Sequence, residues 1–170
     1  MSVPSQFVKC ITRQAGLALA FSLFIVGTCY AQSIAPFERL AGHWSGSGTI
    51  ELSSGVHERI RCRAAYDVLN EQNKLQLNIR CASDSFNIDL RASANYSGGA
   101  ITGNWSESTR NAAGSIAGRA EGDRFQVVAR ASSFAASLTL VTHGGRQSVL
   151  IRSQDAQASI RGVSINLKRS

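Results

Sequence analysis

The chain has 170 residues, a formal net charge of +7 and 7% aromatic residues. That length is the size of one ordinary domain with one core. Beyond residue 32 there is no low-complexity tract, charge block or long apolar run, so nothing there can span a bilayer as a helix.

Residues 1–31 read as a secretory signal peptide. Lys9 and Arg13 form a positive start with no acidic residue, and Ala15–Thr28 is an unbroken run of apolar and small residues. Cys29-Tyr30-Ala31 places small residues at the −3 and −1 positions of a cut after Ala31. A lipid-modified Cys29 and a retained N-terminal anchor are the alternatives. The expected location is exported, periplasmic or extracellular. Removing Lys9 and Arg13 leaves a mature charge of +5, carried almost wholly by arginine. A balance of this size serves solubility and also fits an anionic partner, an envelope lipid or a glycan before nucleic acid.

Residues 32–40 form a lead-in, and residues 41–170 a single domain. From Ala41 onward turn signals recur at about the eight- to twelve-residue spacing of a sandwich or barrel. No stretch sustains a helical period. His43–Leu52 puts Trp44, Gly46, Gly48, Ile50 and Leu52 on one face. The turn Ser53-Ser54-Gly55 then sets Gly46 opposite Cys62 and Gly48 opposite Ile60. A glycine in that place is expected to leave room for a disulfide.

The hairpin Arg59–Ser83 organises the rest. Ile60, Cys62, Ala64, Tyr66 and Val68 share one face of its first arm; Leu75, Leu77, Ile79 and Cys81 share one face of the second. Folding about Asn70–Asn73 sets Cys62 opposite Cys81 on the inward side. A one-residue slip would send one of them outside. Only these two cysteines remain after cleavage, and two in an exported chain most often pair.

The later hairpins obey the same test. Phe86–Tyr96 points Phe86, Ile88, Leu90 and Tyr96 inward, and the Gly98-Gly99 loop sets Tyr96 against Ile101 and Ala92 against Trp105. The loop Ser108–Asn111 sets Trp105 against Gly114. Gly122-Asp123 sets Ala120 against Phe125. A loop Ser132–Ala135 sets Ala129 against Leu138 and Val127 against Leu140. Gly144-Gly145 sets Leu140 against Val149. The last strand, Ile160–Lys168, changes phase at Arg161-Gly162, which reads as a β-bulge. The fold class is all-β: an antiparallel up-and-down β-barrel of about ten strands, its last strand paired to its first.

Leu40-Ala41-Gly42-His43-Trp44 opens the first strand, and a Gly-x-Trp there before such a meander resembles the calycins: lipocalins, fatty-acid-binding proteins and nitrobindin-like barrels. The resemblance covers roughly residues 40–170 and is architectural. It implies that Trp44 closes one end of the barrel beneath a basic residue of the last strand, Lys168 or Arg169. It also implies a small apolar ligand held inside. The Trp-x-Gly-x-Gly of Trp44–Gly48 is similar to nitrobindin-like haem barrels, but His143 faces outward in this register, so no cofactor is expected. Small envelope peptidase inhibitors of calycin type are a further resemblance, in size, export and single disulfide.

Catalytic chemistry is not expected. His43, His57 and His143 face outward and share no metal-ligand spacing. There is no Gly-x-Ser-x-Gly elbow and no glycine-rich phosphate loop. Glu58 is the carboxylate that the register places inward, opposite Ile50 at a barrel end. Two roles remain. In one, the interior holds an apolar ligand near Glu58, Ala120, Phe125, Ala129 and Leu138, because the sixth to eighth strands contribute mostly small residues while the second to fourth pack solidly. In the other, the barrel is a scaffold for its basic exterior, where Arg59, Arg61 and Arg63 alternate, Arg80 lies opposite Arg63, and Asp89 is placed to relieve Arg80. Neither reading specifies an oligomeric state.

Overall fold

The computed structural model describes residues 36–69 and 73–170. The signal-peptide reading, the Cys29 alternative, the first part of the lead-in and the tip of the cysteine hairpin lie outside the described residues. After a single 3₁₀ turn, Glu38–Leu40, ten strands follow. They are β1 (Gly42–Leu52), β2 (His57–Leu69), β3 (Lys74–Ala82), β4 (Asn87–Ser97) and β5 (Ala100–Glu107), then β6 (Ala112–Glu121), β7 (Arg124–Ala131), β8 (Phe134–His143), β9 (Arg146–Ser153) and β10 (Ile160–Arg169). Each pairs antiparallel with its sequence neighbours, and β1 pairs with β10 to close the barrel. Closure leaves no free sheet edge.

Period-2 alternation builds these strands, and it also sets their register. Cys62 lies opposite Cys81 and the two are bonded. Gly46 lies opposite Cys62, Ala92 opposite Trp105, Trp105 opposite Gly114 and Ala120 opposite Phe125. The bulge falls where expected: Glu51 pairs with Gly162 and Leu52 with Ile160, so Arg161 is the extra residue.

Two expectations are corrected. The β7–β8 turn is only Ser132-Ser133, so Ala129 pairs with Ala136 and Val127 with Leu138, two residues from the expected partners. Strand propensity continued through Phe134 and Ala135, which the longer loop had consumed. The inward parity survives because the shift is even. The second correction concerns Gly46. A Cβ there would lie 2.0 Å from the Asn166 carbonyl oxygen, not against the disulfide. The glycine serves the close approach of β1 to β10 where the sheet coils shut.

The core is densest at one end. Phe37 enters that end and is 1% exposed; its ring stacks on Phe125 at 6.0 Å and meets Tyr96 edge-on at 6.3 Å. Leu40, Trp44, Tyr66, Ile101, Leu140 and Leu167 are buried around it. What reads as a lead-in is a plug.

Candidate ligand lumen and basic outer face

At the plugged end, side-chain polar groups are paired, as burial demands. The Trp44 indole donates to the Leu40 carbonyl at 2.7 Å, and the Arg169 guanidinium covers the Trp44 ring at 4.4 Å. Arg169 also donates to the carbonyls of Arg39 and Ala41. Of the two basic residues offered by the resemblance, Arg169 takes the role. Deeper in, the Tyr66 hydroxyl donates to Gln147 Oε1 at 2.8 Å, and Gln147 Nε2 to Thr142 Oγ1 at 3.2 Å. Burial pushes the Tyr66 phenol well above its ordinary range, only partly offset by its bond to Gln147.

The other end differs. Ile79, Leu90, Ile116, Val127 and Ile151 share the inward face, yet they are only half-buried. An inward-pointing side chain stays partly exposed only where its neighbours do not cover it, so this half is filled less completely than the plugged end. The packed wall is β1, β2 and β10, with Ile50 and Ile60 fully buried. The expected solid wall on the second to fourth strands is therefore complete at Ile60–Tyr66 of β2 and only partial on β3 and β4, where Leu75, Cys81 and Ala94 are buried but Ile79, Ile88 and Leu90 are half-buried.

Trp105 stands in this half, opposite Gly114, and Phe134 stands opposite Ala131. The two rings meet edge to face at 6.1 Å, reaching across β6 and β7. They can do so because glycine and alanine lie beneath them: a Cβ on Gly114 would come within 3.0 Å of the Trp105 indole nitrogen. That nitrogen is buried and has no hydrogen-bond partner. One row further in, Gly103, Ile116, Ala129 and Ala136 form a wall of mostly small residues.

The named ligand residues are split by this geometry. Ala129 and Leu138 are half-buried and belong to the open half. Ala120 and Phe125 are buried in the plugged half, where Phe125 carries Phe37. Glu58 sits at the open rim opposite Ile50, and the Ser85 backbone N–H donates to it at 2.6 Å. Hydrogen bonds from the Ser83 hydroxyl and the Ser85 backbone hold its carboxyl below the usual range.

Glu58 is not the sole inward carboxylate. Glu107, opposite Leu90, is 7% exposed at the same end. Burial alone would raise its pKa. The Thr109 hydroxyl and the backbone N–H groups of Asp89, Thr109 and Arg110 donate to it and bring it down to about 2. It clamps the β5–β6 turn, and Arg110 adds a guanidinium at 3.6 Å. The parity that placed Trp105 inward also marks Glu107, so the signal was present.

Outside, Arg61, Arg63 and Arg80 stand around a hollow of about 1100 Å³ on β1–β4. Arg59 is exposed on the same strand but does not line it. Arg63 faces Arg80, and Arg80 bonds Asp89 at 3.1 Å, as expected. Arg91, opposite Asn78, joins the lining. It was missed, although the Arg80–Asp89 pairing already implied its place.

No protein-family model matches the chain, and no curated protein matches it. Among solved structures, Rv2717c from M. tuberculosis superposes with a TM-score of 0.63 at 10% identity, over 78% of this chain and 93% of that one. The S-type phycobiliprotein lyase CPES from Guillardia theta superposes with a TM-score of 0.58 at 11% identity, over 79% of this chain and 90% of that one. The barrel is calycin-like. At such identities the likeness is one of fold.

Proposed function

We propose that this chain is an exported binding protein, not an enzyme, that takes a small apolar ligand into the open half of its barrel. The ligand would lie under the Trp105–Phe134 pair, against Gly103, Ile116 and Ala129. The observation that carries the reading is the half-burial of inward-facing apolar side chains at this end, opposite a plugged end. The unpartnered Trp105 indole N–H supports it, because a ligand oxygen there would satisfy a donor that now has no acceptor. The Cys62–Cys81 disulfide is consistent with an oxidising, exported setting.

The test uses a neutral probe, N-phenyl-1-naphthylamine, which keeps the basic exterior out of the measurement. Titrated into the protein, it should quench tryptophan emission saturably, and Ala129→Leu should weaken its uptake. Unsaturable quenching, or uptake indifferent to Ala129→Leu, would refute a lumen site. Native mass spectrometry of protein from its own host then looks for a co-purifying small molecule.

A further inference from the structure

We infer that the arginine-walled hollow on β1–β4 is a binding site for an acidic linear glycan, separate from the lumen. The argument begins with register. Arg63 and Arg80 occupy one row across the outer face; Arg61 lies one outward position to one side, and Arg91 one to the other. The row spacing is about 7 Å, two residues of antiparallel strand. The cations therefore form a diagonal track from β2 to β4 and not a single cluster.

This track is electrostatically unfinished. Arg63 and Arg80 are like charges directly across a ladder, an arrangement that destabilises a sheet. Among the described residues, Asp89 pairs with Arg80, while Arg61, Arg63 and Arg91 have no carboxylate within ion-pair reach. A string of anions would relieve them, and guanidinium forks suit carboxylate or sulfate groups.

Shape and chemistry choose among polyanions. The hollow is concave, so a flat bilayer would meet the arginine tips and miss the floor. Its lining has no Phe, Tyr or Trp on which successive bases of a single strand could stack, the His43 imidazole being its one ring among the described residues. The arginines share the lining with Ser45, Asn78, Asn87 and Thr109, uncharged groups suited to sugar hydroxyls.

The experiment titrates the intact protein with oligogalacturonate, neutral dextran oligomers, phosphatidylglycerol vesicles and single-stranded DNA. Oligogalacturonate should bind saturably and weaken with salt, and neutral dextran should not bind. The double variant Arg63→Gln/Arg91→Gln should bind about tenfold more weakly or worse. The control Arg124→Gln/Arg130→Gln, on β7, removes the same charge from another part of the exterior and should bind like the parent. All four positions changed here are surface ones, and circular dichroism checks that each variant is folded. The proposal is overturned if the control loses as much affinity, if vesicles or DNA bind and the glycan does not, or if nothing binds. Failure of naphthylamine uptake would leave this result untouched.

Discussion

Arg169, the last residue of β10, lies over the ring of Trp44 near the start of β1, its guanidinium carbon 4.4 Å from the ring centroid. The contact ties the closing strand pair to the plug, because the same guanidinium holds the carbonyls of Arg39 and Ala41. Arg169→Ala should cost about 1–3 kcal/mol, the sum of a cation–π contact and charge-assisted hydrogen bonds. Urea denaturation followed by tryptophan fluorescence measures it. A midpoint equal to the parent's would mean the clasp contributes nothing.

The two tryptophans should respond differently. Trp44→Phe removes a satisfied indole bond to Leu40 and should lower stability by about 1–2 kcal/mol. Trp105→Phe removes a buried donor that has no acceptor, so its lost apolar area is offset and the change should stay below about 1 kcal/mol. Comparing the two variants by denaturation is decisive if the order is reversed.

Ala129 and Ala136 are partners across β7 and β8, yet one is half-buried and the other 3% exposed. Ala129→Leu should be tolerated within about 1 kcal/mol, whereas Ala136→Leu should lose about 1–3 kcal/mol through overpacking. Equal losses at both sites would mean the space beside Ala129 is filled.

Glu107 makes stability depend on acid. Its folded pKa of about 2 lies below the ordinary 4.5, so its contribution is present above pH 4.5 and is lost as pH falls toward 2. Glu107→Gln should remove about 2 kcal/mol at neutral pH and flatten the stability profile between those limits. Parent and variant denaturation curves at pH 6 and at about pH 3 give the comparison; parallel profiles would refute it.

The disulfide closes a 19-residue separation. Reduction, or Cys62→Ser with Cys81→Ser, should lower stability by about 3 kcal/mol on the chain-entropy account. Non-reducing peptide mapping should recover the Cys62–Cys81 link from the native protein.

Much of this protein is legible in its alternation pattern. Strand number, direction, the Cys62–Cys81 pairing, the bulge at Arg161 and closure of β10 on β1 all follow from keeping one apolar face through successive turns. Each turn is local, and a wrong face is penalised over a whole strand. The Ser132-Ser133 turn shows the limit, since an even shift preserves the face and costs nothing in the pattern. The tertiary structure alone decided what meets beyond adjacent strands, Phe37 on Phe125 and Trp105 on Phe134, and which basic residue covers Trp44. Those contacts depend on the twist and coil of all ten strands at once, and on where glycine lets two backbones or a ring come close, so no single hairpin contains them.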